Sequence, residues 1–139
     1  MKRPPFEIWE HTADAGVVAR GATLGETFAH AAEGMYALMV DLGGVEERES
    51  REIAVTGDDA ERLLVNWLLE LLFLTEVEGL VFCRFQVEVE DGRLRGRAYG
   101  EPLDPDRHVL GSAVKAVTRH GLEVVPEDGG YRARVLFDL

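Results

Sequence analysis

The sequence predicts an α+β fold, in which a mainly antiparallel sheet of six or more strands packs with two long helices in a single domain. Two segments carry apolar residues at helical spacing, several others alternate apolar with polar residues, and short turn signals join most of them. The chain has 139 residues, of which 46% are hydrophobic. This is the size and apolar content of one domain with its own core, so we assign residues 1–139 to one domain.

The first two predicted strands flank a short turn that contains Asp14. Residues 6–11 alternate large apolar with polar side chains, and residues 17–22 resume an extended pattern. Residues 12–16, between them, favour a turn. We therefore expect Asp14 to lie in a loop between two short strands.

A capping box and one apolar stripe predict the first helix. Thr23 can cap its start, and Glu26 stands three residues later in the reciprocal position. The stripe steps by four and three residues through Leu24, Phe28, Ala31, Met35, Leu38 and Leu42. Gly43 and Gly44 predict the end of the helix.

The second helix follows a short strand predicted at residues 52–56. Asp58 is its expected N-cap. Its body, residues 63–74, is apolar nearly all round, so we expect it to be covered on most sides and to be the central element of the fold. This segment contains Asn66 and Glu70 and is too short to cross a bilayer. We therefore expect no interaction with a membrane.

The second half of the chain is predicted to form strands. Residues 80–90 alternate in polarity, Asp91-Gly92 is a two-residue hairpin signal, and residues 93–100 form the returning strand. Residues 114–125 fit either a strand or a short helix. We favour a strand because Val, Thr and His are weak helix formers.

The chain is strongly acidic, with 26 Asp and Glu against 15 Lys and Arg and a formal net charge of -11. Such a charge repels phosphate backbones, so we expect no direct, stable binding of nucleic acid. The alternative is a local basic strip, but solvated arginines on strand faces are the favoured explanation of its four members, Arg84, Arg93, Arg95 and Arg97. The first residues are not followed by the apolar segment of a secretory signal, which favours a cytoplasmic location.

The motifs of standard enzymes are absent from the sequence, so isolated polar residues become the candidates for function. Asp14 lies in the predicted turn, where an Asx-turn is the alternative explanation. Asp138 lies in the last predicted strand, residues 131–139, and Leu139 adds an α-carboxylate beside it. Two neighbouring anions are unfavourable unless a cation or an arginine neutralises them. Oxygen ligands of this kind favour calcium or magnesium over zinc.

Two further groups of residues are weaker candidates. Glu70 interrupts the most apolar helix, and it either takes part in the site or points outward beside Asn66. His11, His108 and His120 could form a zinc site, but their spacing matches no familiar zinc motif.

Four segments together resemble the archease family. They are residues 9–16, residues 100–104 with the nearby Arg107-His108, residues 114–120, and residues 135–139. Each is a weak signal alone, but they occur in the same order over nearly the whole chain, which makes the set specific.

The resemblance implies a protein cofactor rather than an enzyme. Archeases act on the RtcB-type RNA ligase of tRNA splicing and RNA repair, whose guanylylation and multiple turnover they promote. The resemblance also implies a calcium-type metal site at Asp14, Asp138 and Leu139, with Glu70 matched only loosely and with Mg2+ or Mn2+ as alternatives to Ca2+. Two other functions remain open, a general chaperone or assembly factor for nucleic-acid-processing proteins and a small metal-dependent hydrolase.

Overall fold

A computed structural model describes residues 4–10 and 13–139 of the chain. Within these residues, two helices and seven strands follow one another, with a single turn of 3-10 helix after the first helix. In chain order they are β1 (Phe6–Glu10), β2 (Asp14–Gly21), α1 (Leu24–Met39), the 3-10 turn (Leu42–Gly44), β3 (Glu49–Thr56), α2 (Ala60–Glu78), β4 (Leu80–Glu90), β5 (Arg93–Pro102), β6 (Ala116–Glu127) and β7 (Gly130–Asp138).

The strands form two antiparallel sheets, which confirms the α+β prediction. The four-stranded sheet has the order β1-β2-β7-β6, and the three-stranded sheet has the order β3-β5-β4. The strands are thus divided between two sheets and do not form one continuous sheet. One cluster of buried apolar residues includes members of both sheets and both helices. None of the helices in the described part of the chain is long and apolar enough to span a membrane.

The central element is α1, and the expectation that the second helix would be central is wrong. α1 contacts β2 of one sheet and β4 of the other, because glycines let it approach both closely. A Cβ added at Gly34 would lie 2.6 Å from Val17 Cγ1, and one added at Gly25 would lie 2.2 Å from the carbonyl oxygen of Val87. α2 instead leaves an apolar stripe in solvent at Leu69, Phe73 and Val77.

The predicted N-cap is present at the start of α1, but Glu26 bonds to the N–H of Ala22 and not to that of the N-cap Thr23. Thr23 Oγ1 accepts a hydrogen bond of 3.0 Å from the Glu26 N–H, and Glu26 Oε1 accepts one of 3.1 Å from the Ala22 N–H. At the start of α2, Asp59 and not Asp58 is the N-cap, and its Oδ1 accepts a 2.7 Å hydrogen bond from the Arg62 N–H. Both aspartates have the chemistry of a cap, so only the backbone path decides between them.

The predicted strands agree well with the observed ones in the second half of the chain. The hairpin of β4 and β5 turns at Asp91 and Gly92, whose φ angles of 50° and 73° suit the turn type that Asp-Gly favours. The segment at residues 114–125 contains most of β6 and is a strand, as predicted. The expectation that Asp14 lies in a loop is wrong, because Asp14 is the first residue of β2 and pairs with β7.

Candidate metal site

The candidate site lies where β2 begins and β7 ends, and it joins the two ends of the chain. Asp14 stands directly opposite Asp138 in the antiparallel register. The Leu139 N–H donates a 3.0 Å hydrogen bond to the Ala13 carbonyl. Because bonded and non-bonded pairs alternate along an antiparallel ladder, Asp14 and Asp138 form a non-hydrogen-bonded pair, the kind in which side chains stand closest.

Both aspartate side chains belong to the outward face of the four-stranded sheet. Successive residues of a strand point to opposite faces, and the neighbours Ala15 of β2 and Phe137 of β7 are fully buried on the inner face. Asp138 is exposed, whereas Asp14 is half-buried. Like charges directly opposite each other on one sheet face are destabilising, so the pair calls for a compensating positive charge.

One oxygen of Asp14 is the strongest sign of a missing ligand. Asp14 Oδ1 is buried and has no hydrogen-bond partner among the described residues. A buried carboxylate oxygen without a partner is costly, and native proteins rarely leave one unsatisfied. A cation held between Asp14 and Asp138 would satisfy this oxygen and neutralise the facing charges. The donor set is composed of hard oxygens and therefore fits a hard divalent ion.

Trp9 lies on the same outward face, next to the aspartate pair. A Cβ added at Gly16 would lie 2.0 Å from Cζ2 of Trp9, so the indole ring lies directly on Gly16, two residues along β2 from Asp14. The Arg134 guanidinium lies 5.3 Å from the centre of the indole ring. Trp9 therefore covers the outward face of the sheet over Gly16, next to Asp14.

Main-chain contacts hold the end of β7 in place. The Lys115 N–H donates a 2.8 Å hydrogen bond to the Asp138 carbonyl, and Ala116 pairs with Asp138 on the side away from β2. The half-buried side chain of Leu139 packs against the core. These contacts fix the main chain of Leu139 beside Ala13.

Glu70 lies at a different place in the fold. It is half-buried on α2 and lines a groove beside β3 and β5, and none of Asp14, Asp138 or Leu139 lines that groove. α2 contacts β3 of the three-stranded sheet and β6 of the four-stranded sheet, whereas the aspartates lie on β2 and β7. The structure thus brings together three of the four predicted residues, and a role of Glu70 in metal binding stays a prediction.

The described residues contain no group of three or more His, Cys, Asp or Glu side chains that could hold a metal ion. Asp14 and Asp138 therefore contribute two side-chain carboxylates, and not three, to the candidate site. Of the three histidines considered for zinc, His11 lies outside the described residues and His120 is exposed. His108 is buried and engaged in hydrogen bonds of its own.

A buried polar network around Glu101 was not predicted. Glu101 is 1% exposed and accepts hydrogen bonds from the Arg107 guanidinium, from the Glu46 N–H at 2.6 Å and from His108 Nε2 at 3.0 Å. His108 Nδ1 accepts a 2.9 Å bond from the Asp104 N–H, so Nε2 carries the proton. Arg107 above all, and then the Glu46 N–H, lower the pKa of Glu101 to about 2. The network holds the bend after β5 in place. Its residues lie in one of the segments that carry the family resemblance, but their sequence spacing did not show that they contact one another.

Comparisons with known proteins agree with the resemblance. The model of the archease protein family (MTH1598/TM1083) matches residues 6–139. The chain is similar to the archease of Pyrococcus abyssi, with 40% identity over 144 residues and all of both chains covered. It is 42% identical to the archease of Methanopyrus kandleri, covering 97% of this chain and 99% of that one. The solution structure of Methanobacterium thermoautotrophicum protein 1598 superposes with a TM-score of 0.86 at 41% identity, covering 97% of this chain and 99% of that one.

Proposed function

The chain belongs to the archease family, and on this premise we propose that it is a metal-binding protein cofactor that activates an RtcB-type RNA ligase in the cytoplasm. The activation would consist of promoting guanylylation and multiple turnover of the ligase in tRNA splicing and RNA repair. Membership of the family supports an accessory role. The observation that carries the proposal is the Asp14–Asp138 pair, with one buried oxygen of Asp14 left without a partner.

In the proposed site, Asp14 and Asp138 hold a divalent cation and a main-chain oxygen of Leu139 contributes a further ligand. Calcium is the first candidate because it accepts six to eight oxygen ligands in flexible geometry, and magnesium or manganese is the alternative. The described residues of the site offer fewer oxygens than calcium requires, so water or a partner would fill the remaining positions. A bound cation would supply positive charge against the phosphates or carboxylates of that partner.

The position of the site suits docking. Asp138 is exposed, and the pair lies on the solvent-facing side of the four-stranded sheet with Trp9 and Arg134 as neighbours. The net charge of -11 complements the basic surface expected of an RNA-binding ligase and would speed the encounter of the two proteins. The same charge supports the proposal that the chain makes no stable contact with RNA itself.

The reactive side chains of the described residues support an accessory role. Cys83 Sγ donates to the Tyr99 carbonyl, and burial is the main cause that raises the pKa of this thiol. His108 is occupied on both ring nitrogens, and His30 Nδ1 bonds to the Arg20 carbonyl. A nucleophile needs an adjacent free base to be activated, and these three residues do not provide such a pair.

Multiple-turnover ligation by a purified RtcB-type ligase tests the proposal. We expect the wild-type protein to stimulate ligation, Asp14→Asn and Asp138→Asn to lose that stimulation, and Asp58→Asn to keep it, since Asp58 is an exposed aspartate outside the site. Circular dichroism confirms the folding of each variant. Normal stimulation by both site variants would remove the metal site from the mechanism. Equal suppression of aggregation for unrelated client proteins, unaffected by chelator, would favour a chaperone.

A further inference from the structure

An exposed apolar stripe on α2 is not used by the fold or by the candidate metal site. Leu69, Phe73 and Val77 are 45%, 55% and 63% exposed and follow one another at four-residue intervals, so they form one ridge along the helix. We call these three residues the α2 ridge. Large apolar side chains that are grouped on a surface mark a contact with another molecule more often than isolated ones do.

A groove lies beside the α2 ridge, and two of the ridge residues, Leu69 and Phe73, line it. Its volume is about 670 Å³, and its lining also includes Ala54 and Thr56 of β3. Charged residues line it as well, namely Glu70 of α2 and Arg93 and Arg95 of β5. We call this depression the β3 groove. A ridge and a groove thus lie next to each other on one surface.

The charged residues of α2 and β5 that line the β3 groove have opposite signs and are not paired with each other. Glu70 on the helix side forms no ion pair among the described residues, and neither Arg93 nor Arg95 forms one. The cross-strand neighbours of these arginines, Glu90 and Glu88, lie opposite in register but make no ion pair with them. Nearby charges at the same sheet edge are paired, as in the 2.9 Å contact between Arg51 Nη2 and Glu78 Oε1.

From this arrangement we propose that the α2 surface is an interface between two copies of this chain, related by a two-fold axis. In a two-fold interface the same patch meets itself, so residue i of one copy contacts residue j of the other and the reverse also holds. The α2 ridge of each copy would enter the β3 groove of the other, and Glu70 of each would meet Arg93 and Arg95 of the other. The same surface contains the α2 ridge and the β3 groove, and both acidic and basic unpaired residues, so it can complement a second copy of itself. This is the argument for a second copy of the chain over a different protein.

The proposed dimer does not depend on the proposed function. None of Asp14, Asp138 and Leu139 lines the β3 groove, so the candidate metal site stays accessible in the dimer. Two copies of net charge -11 repel each other over distance, and the local contacts must overcome this repulsion. The association should therefore depend on protein concentration, and not be permanent at the lowest concentrations.

Sedimentation velocity from low micromolar to near-millimolar protein measures this association. The wild-type protein should shift from monomer towards dimer as its concentration rises. Glu70→Arg or Arg95→Glu should each raise the dissociation constant at least about tenfold, because the two-fold axis reverses two contacts at once. Ala54→Trp should do the same, because Ala54 lines the β3 groove and an indole ring there would occupy it. The matched controls Asp106→Arg and Arg119→Glu change exposed charges outside the α2 ridge and the β3 groove and should leave the association unchanged.

Mixing the two charge-reversal variants gives the decisive measurement. In a two-fold heterodimer of Glu70→Arg with Arg95→Glu, both reversed charges face an opposite charge, so the mixture should associate more tightly than either variant alone. A monomeric wild-type protein at every concentration would overturn the proposal. So would a mixture that associates no better than its components while circular dichroism shows both variants to be folded.

Discussion

Replacing Asp138 by asparagine should stabilise the metal-free protein. Asp138 is exposed and stands opposite Asp14 in a non-hydrogen-bonded pair. A like-charge pair in this position is destabilising, and cross-strand pairs of this kind are worth roughly 0.2–1 kcal/mol. Removing one of the two charges should raise the free energy of unfolding by that amount. For a chain of this size, the gain corresponds to an increase in Tm of up to about 4 °C.

Calcium should reverse the order of the Tm values of the wild-type protein and Asp138→Asn. A ligand at one hundred times its Kd stabilises the folded state by about 2.7 kcal/mol, which raises the Tm of the wild-type protein by about 8 to 11 °C. Asp138→Asn keeps only one of the two side-chain carboxylates, so the same calcium concentration should raise its Tm much less. Asp58→Asn, a matched change outside the site, should behave like the wild type.

Thermal unfolding followed by circular dichroism, in chelator and in calcium, measures both effects. If Asp138→Asn melts below the wild-type protein in chelator, the facing carboxylates do not repel each other as the register implies. If calcium raises the Tm of both proteins equally, Asp138 is not a ligand. A response to magnesium but not to calcium would keep the site and change the identity of its ion.

Two further predictions concern the Glu101 network and α1. The folded-state pKa of Glu101 is lowered from 4.5 to about 2, chiefly by Arg107, so its stabilisation is complete above pH 4.5 and is lost as the pH falls through about 2. Urea unfolding should therefore show a smaller loss of stability over that pH range for Glu101→Gln, and identical slopes for both proteins would contradict this. Gly34→Ala places a methyl group 2.6 Å from Val17 Cγ1 and should cost about 1–3 kcal/mol, whereas Gly43→Ala, with its nearest atom at 3.5 Å, should be close to neutral in the same assay.

Local sequence signals predicted the local features of the fold. The N-cap at Thr23 and the Asp91-Gly92 turn each depend on a few consecutive residues, and both are present as expected. The division of the strands between two sheets could not be predicted in this way. Alternating polarity shows which face of a strand is buried, but it does not show which strand lies beside it.

The wrong assignment of the central helix has a similar cause. The segment at residues 63–74 is the most hydrophobic of the chain. Burial of a helix on all sides, however, depends on how closely neighbouring strands and helices can approach it. α1 is wedged between two sheets because Gly25 and Gly34 allow contact with backbone and side chains on both sides. Side-chain hydrophobicity does not reflect how closely a glycine lets other elements approach a helix, so the sequence pattern favoured the wrong helix.

The proximity of Asp14 and Asp138 could be inferred from the sequence, but only in part. The neighbouring carboxylates of Asp138 and Leu139 indicated that a positive charge should lie nearby, and the family resemblance indicated Asp14. Neither argument could show that the two residues face each other in one ladder. That relation arises from the pairing of β2 with β7 and is a property of the whole sheet. Glu70 was included because it interrupts an apolar helix and loosely matches a position of the family, and it lines a groove away from the pair.

The position of the aspartate pair within the sheet explains why β2 and β7 do not separate to relieve the repulsion between the two carboxylates. β2 and β7 are the two inner strands of the order β1-β2-β7-β6, so each is held by a neighbour on both sides. Asp138 pairs with Asp14 on one side and Ala116 on the other, and Lys115 and Ala13 secure the adjoining main chain. The main chain at the two aspartates therefore cannot separate without breaking several hydrogen bonds. Rigid placement of this kind is what a preorganised cation site requires, because the ligand positions are set before the ion arrives.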